Sequence, residues 1–304
     1  MNEWKYRPPL LSPRSGHEVA AAGDHLFVLG GTDGDLVHSS VETRHARGDG
    51  EWHHVCPMPV PRSGFAAAVV GGIVYAAGGT GRGGAALDAV DRYDPERDEW
   101  HPAPALPVPL AAASAAGLDG RVYVAGGVVG DADPAQHATD AVRVLDPADP
   151  RPHWVPVAPM PTPRAQFRLV ATEAHLYALG GLPSRAQDAL ASVERYCPES
   201  DRWEAVAPMH KRRGSPGAAV VGTKIVVVGG GPAPVDDPTA RDRTAEVFDP
   251  GTGYWVLPGT LLPHGRASLV CATVSAHRIL AIGGSANTYG SVVTIPDVLS
   301  LKLP

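Results

Sequence analysis

Short apolar runs that stop at a pair of glycines recur along the chain: LFVLGG, VYAAGG, VYVAGG, LYALGG, IVVVGG and ILAIGG. They close at Gly30-Gly31, Gly78-Gly79, Gly126-Gly127, Gly180-Gly181, Gly229-Gly230 and Gly283-Gly284, at intervals of 48, 48, 54, 49 and 54 residues. A period of this size dictates the architecture before any single element is assigned. After each glycine pair comes a polar loop of variable length, then a segment alternating between apolar and polar positions: SVETRH from Ser40, AVDRYD from Ala89, AVRVLD from Ala141, SVERYC from Ser192 and AEVFDP from Ala245. Alternation with period two predicts a strand with one buried face. A turn follows, often Asp-Pro (Asp94-Pro95, Asp146-Pro147, Asp249-Pro250), and then a tryptophan, at Trp52, Trp100, Trp154, Trp203 and Trp255. From there the chain runs through a proline-rich turn to an arginine, as in PMPVPRSG from Pro57 and PMPTPRA from Pro159, and into an Ala/Val-rich stretch that leads to the next glycine pair. Each period therefore predicts four short strands. Proline suits the connector because its fixed φ and missing N–H fit turns and spoil central strands.

Repeating four-strand units are the signature of β-propeller blades, and the diglycine with its downstream aromatic residue and tryptophan resembles the kelch repeat. The resemblance covers the whole chain and implies an all-β fold: a six-bladed β-propeller with four antiparallel strands per blade. Six diglycines are followed by only five tryptophans, yet Trp4 precedes Arg14 by ten residues, as Trp52 precedes Arg62. A strand at about residues 3–7 is thus predicted to complete the blade formed by about 266–303, closing the ring and removing an open edge. The expectation is one propeller domain over 1–304. Kelch propellers in ubiquitin-ligase adaptors come with a BTB or F-box module, for which this accounting leaves no residues, so a stand-alone propeller is expected.

Composition narrows the classes of function. Of 304 residues, 44% are hydrophobic and 19% charged, enough apolar surface for a core and too little charge for a disordered chain. The formal net charge of -6 argues against a sequence-blind nucleic-acid binder, which needs a basic face to displace counterions. No apolar stretch approaches the ~20 residues of a spanning helix. Three cysteines (Cys56, Cys197, Cys271) without a C-x-x-C pair indicate neither a disulfide framework nor a zinc knuckle. With the polar opening MNEWKYRPP, which has no apolar export segment, they predict a cytoplasmic protein, expected to be a monomer.

The resemblance implies that the blade connectors and the loops after each diglycine gather on one face, around a central channel where ligands bind. Carried over by position, the connector residues are Arg14 and Ser15, Arg62 and Ser63, Leu110 and Ala111, Arg164 and Ala165, Arg213 and Gly214, and Arg266 and Ala267. Arg14, Arg62, Leu110, Arg164 and Arg213 stand sixteen residues before their diglycine, and Arg266 seventeen. Two readings are open. Five arginines around one mouth would suit bidentate capture of carboxylate or phosphate. Alternatively, each pairs with Asp/Glu or carbonyl groups of the repeat, because a ring of unpaired cations repels itself. The variable loops add Arg82, Arg185, Asp33, His137, Asn287 and Tyr289 as polar candidates. The predicted ligand-binding set is Arg14, Ser15, Arg62, Ser63, Arg82, Arg164, Arg185, Arg213, Arg266, Asn287 and Tyr289.

Nucleophile and metal motifs are missing: there is no G-x-S-x-G, H-E-x-x-H or EF-hand loop, and no glutamate has an aspartate four residues on. No cofactor or metal is expected. The sequence points to a recognition propeller binding an acidic peptide or anionic small molecule at the channel mouth, with no nucleic-acid or membrane partner. The alternative is a metal-independent small-molecule enzyme (isomerase or mutarotase, lyase or cyclase) in the same pocket, in the style of the kelch-type sialic-acid mutarotases. Its acid and base would come from His17, Asp33, His137, His264 or Tyr289.

Overall fold

In a computed structural model of the chain, which describes residues 3–130, 138–184, 188–231, 241–288 and 291–303, each repeat forms a four-stranded antiparallel sheet. Blade one comprises Glu18–Ala22, His25–Leu29, Val41–His45 and His53–Val55, in that order from the axis outward. Blades two to five repeat the order, starting at Ala66–Val70, Ser114–Leu118, Arg168–Ala171 and Gly217–Val221. The second strand of each blade is an unbroken apolar run because neighbouring blades bury both of its faces: His25–Leu29, Lys224–Val228 and Arg278–Ile282 are each exposed at the first residue and buried at the next four.

Blade six takes Val270–Ser275, Arg278–Ile282 and Val298–Lys302 from the end of the chain and Lys5–Arg7 from its start. Lys5 pairs with Ser300, Tyr6 with Leu299 and Arg7 with Val298, which is the predicted clasp. Among the described residues the core is divided accordingly into six apolar clusters, one between each pair of adjacent blades. The sixth, with Leu26, Val28 and Trp52 packed on Val270, Leu280 and Ile282, seals the first blade to the last.

The diglycines weld blade to blade. Gly30 (φ +56°) and Gly31 (φ +92°) lie in left-handed backbone, and a Cβ on Gly30 would stand 2.5 Å from the carbonyl oxygen of Arg62 in the next blade. That contact is needed because the second glycine donates its N–H to the same carbonyl: Gly31 to Arg62 at 2.9 Å, Gly127 to Arg164 at 2.9 Å, Gly181 to Arg213 at 2.8 Å and, across the seam, Gly284 to Arg14 at 2.9 Å. The tryptophans make a second weld. Trp52, Trp100, Trp154, Trp203 and Trp255 each donate Nε1–H to a backbone carbonyl of the preceding connector, at 2.7–3.2 Å. Trp4 is buried, as are Trp52, Trp154 and Trp255, but its Nε1 has no acceptor among the described residues.

Blades two and four carry an extra staple. Asp201, in the left-handed turn (φ +48°) before its tryptophan strand, accepts from Ala158 N of blade three at 2.9 Å and from the Tyr196 hydroxyl at 2.7 Å. Asp98 does the same for Cys56 N and Tyr93. Burial, then the aspartate beside it, pushes the Tyr196 hydroxyl well above its ordinary pKa and keeps it a donor. Asp201→Gly retains the turn and deletes the acceptor, leaving Tyr196 and Ala158 N unpaired. Stability should fall by about 1–3 kcal/mol, read as a lower urea midpoint, and an unmoved midpoint would show the staple to be idle.

Candidate functional site: the axial mouth

The repeating arginines do not face the channel. The side chains of Arg14, Arg62, Arg164, Arg213 and Arg266 are all 0% exposed. Each folds back into its own blade and donates from Nη1 to the carbonyl of the first glycine of its own pair: Arg14 to Gly30 at 2.9 Å, Arg62 to Gly78 at 3.1 Å, Arg164 to Gly180 at 2.8 Å and Arg213 to Gly229 at 2.5 Å. This contact is the reason for the sixteen-residue spacing. Each also pairs with a carboxylate from the third strand: Arg14 with Glu42 at 2.5 Å, Arg62 with Asp91, Arg164 with Glu194 at 2.8 Å and Arg213 with Glu246 at 3.0 Å. Arg266 uses Asp297 at 3.2 Å, one residue ahead of the strand. In blade three both partners change together, Leu110 standing for the arginine and Arg143 for the carboxylate. As they stand, these five cations are part of the interior, so the second of the two sequence readings describes their geometry.

What lines the axis is the residue pair just after each arginine, or after Leu110 in blade three. Gly16, Gly64, Ala112, Gln166, Ser215 and Ser268 all have φ between +50° and +60°. Their backbones form a closed ring of hydrogen bonds: Gly64 N to Gly16 O, Ala112 N to Gly64 O, Gln166 N to Ala112 O, Ser215 N to Gln166 O and Ser268 N to Ser215 O at 2.7–2.9 Å, and Gly16 N to Ser268 O at 3.4 Å. Four of the six are not glycine and adopt this conformation at roughly 1 kcal/mol or more each. The ring of hydrogen bonds holds them there.

Two cavities adjoin at the ring. The outer, of about 350 Å³, opens between blades two to four; Ser63, Thr80, Ser184 and Gln166 line it with Ala111, Val128 and Leu182, and no charged side chain is among its described lining residues. The inner, of about 240 Å³, lies on the axis and includes Ser15, Ser63, Gln166, Ser215 and Ser268 together with Glu18 and Arg168. Ser15 and Ser63 therefore stand at the axis. Arg82 is exposed on the blade-two loop, beside Gly84 and Ala86 of the outer cavity. Asn287 lies on Ser285–Thr288, part of a small extra sheet of blade six, paired with Val292. Arg185, Tyr289 and His137 lie outside the described residues.

The acid/base candidates do not converge. His17 adjoins the inner cavity but is fully buried between blades six and one, while Asp33 and His264 line neither axial cavity. Among the described residues, no three His, Cys, Asp or Glu side chains are grouped as metal ligands. Sequence reasoning missed Glu18, Arg168, Gln166, Ser184, Ser215 and Ser268. For the first two a signal was present: they are the charged residues in inner strands otherwise built of Ala, Val, Gly, Leu, Ser, Thr and Cys.

Comparison with known proteins agrees with this architecture. The kelch motif matches residues 61–107, 163–210 and 212–261. Kelch-like protein 26 of Danio rerio is 31% identical over 132 residues, covering 43% of this chain and 20% of that protein. An F-box/kelch-repeat protein of Arabidopsis thaliana, At5g26960, is 42% identical over 131 residues, covering 40% of this chain and 30% of its own. The chain thus spans a fifth or less of the length of the Kelch-like relatives it matches. The solved structure of YjhT superposes with a TM-score of 0.79 over 96% of both chains at 17% identity, which shows a common fold. Fold and motif together define an antiparallel β-propeller built of tandem four-stranded repeats. The chain carries three kelch motifs on that fold, and kelch-repeat propellers are in general protein- or ligand-binding scaffolds. No helix of the described residues is long and apolar enough to cross a membrane.

Proposed function

We propose that this propeller recognises an anionic ligand, an acidic peptide segment or a small acid, at the mouth of its axial channel. The observation that carries the reading is the outer cavity, whose described lining offers hydroxyls and an amide (Ser63, Thr80, Ser184, Gln166) beside small apolar groups and no carboxylate to repel an anion. A concave, mostly uncharged site with a few convergent polar groups is the usual form of a recognition pocket. Exposed Arg82 at the rim suits the first encounter. The buried arginines support recognition indirectly, by fixing the connectors that carry Ser15 and Ser63. The enzymatic alternative draws less support, since His17, Asp33 and His264 do not share a cavity.

Ala111, in the outer cavity and not the inner one, is the place to test this. Ala111→Phe fills the pocket from a half-buried position. Fluorescence anisotropy with a library of Asp/Glu-containing peptides, set against the Asn/Gln versions, should show binding by the wild type that the variant loses at least about tenfold, or about 1.4 kcal/mol, with an unchanged melting temperature. Equal binding by both proteins would place recognition elsewhere.

A further inference from the structure

Two positions beyond the axial ring, the six blades carry Glu18, Ala66, Ser114, Arg168, Gly217 and Val270. The two charged residues are in blades one and four, opposite each other in a ring of six. Arg168 spans the distance by following the wall: Nε donates to Pro216 O of blade five at 2.9 Å, Nη2 to Leu269 O of blade six at 3.0 Å, and Nη1 to Glu18 Oε1 of blade one at 2.5 Å. The side chains of Arg168 and Glu18 remain 15% and 14% exposed, toward the inner cavity. Arg168 is the only cation among the described residues lining that cavity, where the hydroxyls of Ser15, Ser63, Ser215 and Ser268 stand around it.

A guanidinium positioned by two backbone carbonyls and reachable from a hydroxyl-lined chamber is a carboxylate receptor, and Glu18 already occupies it. We propose that the inner chamber is a carboxylate-binding site in which the ligand displaces Glu18 from Arg168 and binds together with one proton. The proposal deepens the mouth reading and rests on it for the route by which the ligand arrives. Proton uptake follows from space. Two carboxylates confined to about 240 Å³ with one guanidinium cannot both stay ionised, so the displaced one takes a proton from solvent.

Glu18 is the group poised to accept it. Burial raises its carboxyl above the ordinary range, although Arg168 beside it and the backbone N–H of Val19 act in the opposite direction. The other ionisable groups packed nearby are committed. Arg14 is paired with Glu42 and Arg266 with Asp297; burial and the charges of Arg14 and Arg168 keep His17 neutral; and burial pushes the Cys271 thiol up to about 12.

Acetate is the probe, titrated by NMR or calorimetry in low-chloride buffer between pH 6 and 8. Wild-type affinity should weaken toward tenfold per pH unit. Glu18→Gln, isosteric and unable to ionise, should bind acetate at least tenfold more tightly at pH 7.5, with no pH dependence, and Arg168→Gln should not bind it. A pH-independent wild-type affinity, or a Glu18→Gln variant no tighter than wild type, overturns the proposal. The Glu18→Gln arm decides the matter even if Arg168→Gln fails to fold. A parallel titration with Asp-containing peptides separates free acids from side-chain carboxylates. Acetate obeying the pattern while peptides fail would leave the chamber standing and remove acidic peptides from the mouth reading. Peptides binding at the mouth while acetate ignores Glu18 would do the reverse.

Discussion

Glu246→Ala should destabilise the protein by about 3–5 kcal/mol, the range for removing one partner of a buried ion pair. Glu246 and Arg213 are both 0% exposed. The carboxylate accepts from Arg213 Nε at 3.1 Å and Nη2 at 3.0 Å, from His210 N at 2.7 Å, from His210 Nδ1 at 2.9 Å and from Lys211 N at 3.2 Å. Its removal leaves a guanidinium without its counter-charge in the interior and unpairs two N–H groups of the connector. The magnitude comes from that uncompensated cation. Asp297→Ala is the internal control, because Asp297 is 31% exposed and water can replace it beside Arg266. Its cost should be smaller, about 1–3 kcal/mol, because water reaches the vacated site although Arg266 itself stays in the interior. Chemical denaturation of both variants checks the order, and equal losses would show that burial of the pair is not what decides the cost.

His17→Phe should stabilise the protein, most strongly in acid. His17 stands where blades two, four and six have Phe65, Phe167 and Leu269, at 0% exposure, and among the described residues neither ring nitrogen has a hydrogen-bond partner. It packs at the seam between first and last blades, its Cε1 2.7 Å from where a Cβ on Gly283 would be. Burial, then the positive charges of Arg14 and Arg168, holds its pKa well below 6.5, with only the Ile282 backbone acting the other way. The unfolded chain therefore binds a proton that the folded protein refuses. Stability is intact above the ordinary imidazole value and falls as pH drops below it toward the folded-state pKa, at up to about 1.4 kcal/mol per pH unit. Phenylalanine removes that slope and the roughly 1–3 kcal/mol of an unsatisfied buried polar group. Urea titrations at pH 7 and pH 5 should show the wild type losing more stability than the variant. Parallel losses would mean that the acid sensitivity resides elsewhere, with the carboxylates that pair the arginines the first to examine.

The repeat was legible because each blade is a local object. Its diglycine, alternating strand and tryptophan are separated by short, regular intervals, so six copies announce themselves by periodicity. The fate of the arginines was also partly written there. SVETRH, AVDRYD, SVERYC and AEVFDP each supply the carboxylate that the arginine meets, whereas AVRVLD has Arg143 at that position in the one blade whose connector has Leu110. Reading the two positions together separates an interior ion pair from a cationic mouth.

By itself, then, the sequence determined the strand pattern, the blade number and the clasp of Trp4's strand onto the end of the chain, since these follow from spacing and from alternation of apolar residues. Which polar side chains reach the axis was decided only by the tertiary structure. Arg168 meets partners 48, 101 and 150 positions away in the chain. The ring of Gly16, Gly64, Ala112, Gln166, Ser215 and Ser268 exists only once six blades are bent into a circle. One-dimensional spacing encodes what a strand does to its neighbour, and a contact across the axis depends on the closure of the whole ring.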